Sequence, residues 1–200
     1  MYISIEGNIG AGKTTLAKAL AEKLDAYFLP EQFEDNTLLP LFYKEPEVYA
    51  FPTEYSFLID RQKQLSNFFN TPQSNKHIVS DFHFDKCICF AEANLSLEDF
   101  LFFSKHYLAI QKTIKSPDII VYLNVDIDTL VQNIQNRGRE IEKELNANYL
   151  RKLKKSLDNY YLSVDKENHI VLNMNTYNLD TLNQNIETIL EKIKQKNYLL

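Results

Sequence analysis

Glycine is the scarcest informative residue. The chain has four glycines in 200 residues, where average usage would give about fourteen. Gly7, Gly10 and Gly12 crowd into six positions, and Gly138 sits between Arg137 and Arg139. Glycine serves where backbone takes unusual angles or comes close to a ligand, so this distribution points to two functional loops. Tryptophan is absent, and the cysteines are only Cys87 and Cys89. Two thiols make no disulfide framework. A Cys-x-Cys without partner cysteines is a weak metal site, so both read as buried thiols of a cytoplasmic protein. No apolar run approaches the roughly 20 residues that span a bilayer. Met1–Glu6 lacks the basic stretch and apolar core of a signal peptide and reads as a first strand. The net charge of −5 argues against a nucleic-acid partner, which calls for a basic face.

What is present alternates between strand and helix, the pattern of an α/β fold with a parallel sheet covered on both faces. Strands are expected at Tyr2–Glu6, Ala26–Pro30, His77–Ser80, Asp118–Asn124 and His169–Leu172. The apolar run of the fourth suits a strand buried on both sides. Helices are expected over Lys13–Leu24, Asn36–Tyr43, Thr53–Phe69, Phe84–Ala93, Leu97–Ile114, Asp128–Asn136, Tyr149–Leu162 and Asp180–Gln195. Thr53, following Pro52, reads as an N-cap, and Ser96 with Asp99 resembles a capping pattern. No repeat or linker interrupts the chain. The expected organisation is one domain over 1–200, with a five-stranded sheet and a short arginine-bearing lid at about 137–146.

Gly7-Asn8-Ile9-Gly10-Ala11-Gly12-Lys13-Thr14 fits G-x-x-x-x-G-K-[ST] between a strand and a helix. Chance would produce it in about 1% of chains this long. Its backbone N–H groups can cradle phosphate oxygens, assisted by the dipole of the following helix. Lys13 then reaches the β/γ-phosphates and Thr14 offers a hydroxyl to Mg²⁺, with Thr15 next in line. This is the P-loop, and it implies ATP with Mg²⁺ as phosphoryl donor. No Asn-Lys-x-Asp guanine-reading motif of a GTPase is present. The chain is short for an oligomeric ATPase, which leaves a small-substrate kinase as the natural class.

Beyond the P-loop, the chain resembles the deoxynucleoside kinase family along nearly its whole length. The segments that carry the resemblance are Tyr2–Leu16, Leu29–Asn36, Leu41–Leu65, Val79–Ala91 and Asn136–Glu142, followed by Tyr149-Leu150. The resemblance is greatest to bacterial members, including the kinase half of fusions with a pterin pyrophosphokinase. It implies a P-loop NTPase fold, transfer of the γ-phosphoryl of ATP to the 5′-hydroxyl of a deoxynucleoside, and a homodimer.

By the same resemblance, Glu31 matches the family's general base, with Glu34 and Asp35 as nearby carboxylates. Tyr43 matches a tyrosine that bonds the sugar 3′-hydroxyl. Glu54 and Arg61 fall where the family reads the base, usually with glutamine and arginine. Seven residues apart, they share one helix face about 10 Å apart, room for a planar base. Arg137 and Arg139 match lid arginines that close on phosphate, and Glu142 a lid glutamate on the sugar.

One segment departs from the family. After the third strand the family carries carboxylate-Arg-Ser, with its arginine near the reacting phosphate, whereas this chain reads Ser80-Asp81-Phe82. Asp81 can still serve Mg²⁺. Lys86 stands near where many members have an aspartate. A carboxylate at position 54 suits guanine, which presents two adjacent donors, and Arg61 or Lys86 could donate to its O6 and N7. A raised pKa would let Glu54 donate and restore adenine or cytosine. These residues imply a purine preference, with deoxyguanosine ahead of deoxyadenosine. Two alternatives remain: a nucleoside monophosphate kinase of the thymidylate type, and a catalytically weak nucleotide-binding module. Phe100, Phe102, Phe103 and Tyr107 could form either a dimer surface or core.

Overall fold

A computed structural model of the chain describes residues 1–33, 36–71, 77–163, 167–174 and 179–195; Glu34 and Asp35 lie outside them. Five strands form one parallel sheet: β1 (Tyr2–Gly7), β2 (Tyr27–Leu29), β3 (Ile78–Ser80), β4 (Ile119–Val125) and β5 (His169–Met174). Their order is β2-β3-β1-β4-β5. Every pairing is parallel, with Ile3 opposite Val79 on one side and Ile119 on the other. The expected strands all form.

The period of two along each strand assigns the faces. Ile3, Ile5, Ile119, Val121 and Ile170 belong to one core with Leu16 and Leu20 of α1 (Lys13–Lys23) and Ile189 and Ile193 of α8 (Leu179–Gln195). Tyr2 and Ile78 face the opposite way. They pack with Leu58 and Leu65 of α3 (Pro46–Asn70), Cys87 of α4 (Lys86–Asn94) and Phe103 of α5 (Leu97–Gln111). Ile120 and Tyr122 continue that second face onto Leu157 and Tyr161 of α7 (Ala147–Tyr161). Helices therefore cover both faces, and both thiols are buried.

Three local expectations are corrected. The helix expected from Thr53 begins at Pro46 and runs through Pro52. Pro46 at the first turn is tolerated because that N–H has no helical partner. The interior Pro52 costs one backbone bond, which the packing of Ala50, Phe57 and Leu58 overrides. Thr53 consequently is no cap, and its Oγ1 is buried without a partner. The helix expected from Asn36 is α2 (Leu39–Lys44), with the Asn36 side chain accepting from Leu38 N and Leu39 N ahead of it. The helix expected from Asp128 is α6 (Ile127–Arg137), capped by Asp126. The Ser96 cap forms as expected, accepting from Asp99 N.

Candidate active site

β1 ends at Gly7 and α1 begins at Lys13, so the glycine-rich loop lies at the carboxyl edge of the sheet, where such folds bind ligands. Gly10 has φ of +83°, and a Cβ there would come within 2.9 Å of both Ile134 Cγ1 and Leu130 O of α6. Glycine thus lets α6 seat directly on the loop, and Asn133 Nδ2 donates to Gly10 O at 2.9 Å. Asn8 ties the loop to α7 by donating to Leu150 O at 2.9 Å. Lys13 Nζ folds back on the loop, donating to Gly7 O at 2.8 Å and Asn8 O at 2.9 Å. Burial, with help from the charge of Lys86, pushes its ammonium down to about 8. Thr15 is exposed on α1 and is not among the residues that line the cleft.

Asp81 joins the loop to Glu31. Its Oδ2 accepts from Thr14 Oγ1 at 2.6 Å and its Oδ1 from Glu31 N at 2.7 Å. A hydroxyl and a carboxylate held together make a hard oxygen pair that fits Mg²⁺, which takes one or two protein oxygens and completes its shell with phosphate and water.

Glu31 carries the densest charge contacts. Its Oε1 accepts from Arg61 Nε at 2.9 Å and Nη2 at 2.6 Å, and its Oε2 from Lys86 Nζ at 2.7 Å. Burial acts to raise its pKa, but the charges of Lys86 and Arg61 together hold it down to about 2. Glu31 thus holds both cations at once. Arg61 also donates to Cys87 Sγ at 3.3 Å and lies 4.7 Å over the Phe57 ring. The donors expected for a base, Arg61 and Lys86, are thus both engaged with Glu31. Seven residues N-terminal to Arg61, Glu54 is held by a different group: Asn94 Nδ2 donates to its Oε1 at 2.7 Å, and its Oε2 is buried without a partner. Burial pushes the Glu54 carboxyl up to about 7, against the lowering effects of Asn94, Arg61 and Lys86.

Arg137 closes α6, and Gly138 follows with φ of +63° as its left-handed cap. A 3₁₀ turn at Glu140–Glu142 brings Glu142 back onto the arginines. Arg137 forks onto Glu142 at 2.5–3.1 Å, and Arg139 Nη1 lies 3.7 Å from the same carboxylate. Tyr43, from α2, packs edge-on against Tyr149 of α7 at 6.4 Å. Burial, reinforced by Glu142, raises its hydroxyl pKa further above the ordinary value.

A single cleft joins these groups: Lys13, Thr14, Asp81, Glu31, Tyr43, Glu54, Arg61, Lys86, Arg137, Arg139 and Glu142 all line it. Residues 3–197 match the family model for deoxynucleoside kinases. The chain belongs to the deoxynucleoside kinase family. It is accordingly a phosphotransferase that uses ATP. A deoxyguanosine kinase of Bacillus subtilis is 35% identical over 153 residues, covering 76% of this chain and 74% of that protein. A deoxyadenosine/deoxycytidine kinase of the same organism is 25% identical over 202 residues, covering 96% and 90%. Among solved structures, deoxyadenosine kinase from M. mycoides with bound dCTP superposes with a TM-score of 0.82 at 26% identity, covering 98% of this chain and 100% of that one.

Two residues of the site have no role assigned from the sequence: Asn94, which bonds Glu54, and Phe33, which lines the cleft. Asn94 ends α4 and bonds both Glu54 and Tyr149 Oη, the latter at 3.2 Å. Phe33 stacks under Arg139 at 5.0 Å. Both act through tertiary contacts with residues distant in sequence, which no local pattern encodes.

Proposed function

We propose that the chain is a single-domain, ATP- and Mg²⁺-dependent deoxynucleoside 5′-kinase with a purine preference, deoxyguanosine ahead of deoxyadenosine. The observation that carries this reading is the continuity of one cleft, with Lys13 and Thr14 at one end, Glu54 at the other, and Asp81 linking Thr14 to Glu31 between them. Gly7–Thr14 binds the triphosphate, and Lys13 leaves its two carbonyl partners for phosphate. Thr14 and Asp81 would hold Mg²⁺, which would neutralise charge on the phosphates. Glu31 receives the 5′-hydroxyl proton. A carboxylate held near 2 is a weak base, and that suffices, because phosphoryl transfer depends chiefly on positioning and charge stabilisation. Tyr43 and Glu142 hold the sugar 3′-hydroxyl.

Residues 137–146 act as the lid. In this structure Arg137 and Arg139 lie on Glu142, and their exchange of that carboxylate for phosphate is the closing movement we assign to them. The purine preference draws support from the acceptor oxygen of Glu54 and from the deoxyguanosine kinase relative.

A monophosphate acceptor would need a free cation at the acceptor end. Arg61 and Lys86 both face Glu31 instead, which favours an uncharged nucleoside over the thymidylate-type reading. The homodimer rests on α5: Phe103 and Tyr107 belong to the core, while Leu97, Leu101, Phe102 and Leu108 leave an exposed apolar face. The cytoplasmic reading rests on two free thiols; no described helix is long and apolar enough to cross a membrane. ADP release measured with the four common deoxynucleosides and with thymidylate tests the proposal. Turnover with a purine deoxynucleoside supports it, and turnover confined to the monophosphate overturns it. Light scattering tests the dimer.

A further inference from the structure

The acceptor end of the cleft holds a buried acid with one oxygen satisfied and one left over. Glu54 is 3% exposed. Asn94 fixes its Oε1 at 2.7 Å, and Oε2 has no partner, although Glu54 lines the cleft together with the flat walls of Phe57 and Phe90. A buried polar atom left unpaired costs free energy that a ligand can recover. We infer that Glu54 selects the base by one proton on Oε2: ionised it accepts guanine, and protonated it accepts adenine. This deepens the purine reading above and rests on it.

The chemistry follows from donor and acceptor patterns. An ionised carboxylate only accepts, and it meets guanine at N1–H and the N2 amino group. Adenine presents an acceptor, N1, beside its N6 amino donor. Against adenine the ionised form sets one acceptor on another, whereas the acid form donates from Oε2 and accepts at Oε1. Binding deoxyadenosine to the ionised enzyme therefore takes up one proton from solvent, and binding deoxyguanosine to the protonated enzyme releases one. No bond of the phosphoryl transfer itself is altered.

The surroundings leave Glu54 as the group near the base that titrates around neutrality. Burial raises its carboxyl to about 7. Arg61 on its own helix and Lys86 on α4 both bond Glu31. Cys87 on α4 is pushed up to about 11, chiefly by burial, and burial likewise raises Tyr43 on α2 and Tyr149 on α7, so all three stay neutral. Lys13 titrates near 8, but it serves every acceptor alike.

The test is the ratio of kcat/KM for deoxyguanosine to that for deoxyadenosine, measured on the wild-type protein from pH 6 to pH 8. The ratio cancels titrations common to both substrates, Lys13 included. It should climb about tenfold per pH unit, about a hundredfold over the range, because the two substrates demand opposite protonation states. Glu54→Gln should flatten the profile and move the preference to deoxyadenosine. Calorimetry in buffers of different ionisation enthalpy supplies a readout that needs no variant: deoxyadenosine binding at pH 8 should take up a proton. A pH-independent ratio, or binding without proton exchange, overturns the inference while leaving a purine kinase standing. Phosphorylation of neither purine sinks both readings.

Discussion

One end of the cleft comes from a single short segment between β1 and α1, which supplies Ile9, Gly10, Lys13 and Thr14. The opposite end draws Glu31 from the loop after β2, Glu54 and Arg61 from α3, Lys86 from α4 and Tyr149 from α7, with Asn94 of α4 bonded to Glu54. At the first end, a glycine-rich turn and the start of a helix set the shape, so the geometry follows from local sequence. At the second, side chains from four elements satisfy one another: Arg61 and Lys86 on Glu31, Asn94 on Glu54. A site of the first kind is tolerant of its surroundings but intolerant of its own glycines and lysine. A site of the second kind can change substrate through one substitution, because each partner defines what its neighbour has left to offer.

Glu31 is where the two ends meet, and its loss should do most. Glu31→Gln should cut the chemical step by about 10²–10⁴. It should also destabilise the fold by about 3 kcal/mol, since two buried cations lose their counter-charge. Nucleotide binding kept with chemistry lost supports the assignment. Loss of ATP binding alone would move Glu31 to the phosphate end. With a pKa depressed to about 2 from an ordinary 4.5, its stabilisation is full above that ordinary value and disappears as pH falls through about 2. Acid unfolding curves of wild type and variant should therefore converge at low pH.

Lys13→Ala should lower kcat by about a hundredfold or more at the phosphate end. Its ammonium at about 8 also predicts that kcat/KM for ATP declines above that pH, where the free enzyme loses the charge that phosphate needs. A folded variant with near-normal turnover would break the local-loop half of the comparison. Arg137→Ala and Arg139→Ala come next, each costing roughly tenfold to a hundredfold in kcat with a smaller change in deoxynucleoside KM. A pure rise in acceptor KM would place these arginines at the wrong end.

Two smaller effects sharpen the side-chain half. Glu54 has its pKa raised from 4.5 to about 7, so it contributes stability below the ordinary value that is lost as pH rises through about 7. Thermal denaturation should show Glu54→Gln gaining on wild type between pH 5 and pH 8, by on the order of 2 kcal/mol. Equal pH dependence in the two proteins would mean the carboxyl is solvated. Asn94→Ala should raise purine KM by about tenfold, a single hydrogen bond's worth, with ATP KM unchanged. A shift in ATP KM would show that the two ends are not separable.

Much of this was legible in the chain. The five strands follow from apolar runs, the loop from its glycine spacing, and the end of α6 from Gly138 after Arg137. The misreadings came where tertiary contacts overrode local rules. Pro52 and Thr53 look like a helix start, yet buried Ala50, Phe57 and Leu58 pull one helix through them. Arg61 and Glu54 share a face as their spacing requires, but their spacing does not say that Arg61 turns to Glu31, thirty positions away.

The sequence by itself determined the parallel α/β sheet, the phosphate loop and the positions of the charged residues, because hydrophobic period, glycine placement and helix spacing are properties of neighbours along the chain. Only the tertiary structure decided how those charges pair, that Asp81 links Thr14 to Glu31, and that Glu54 keeps one oxygen free. The reason is that pairing and pKa depend on distance and burial in three dimensions, which residues as far apart as Glu31 and Lys86 acquire only when the sheet brings their elements together.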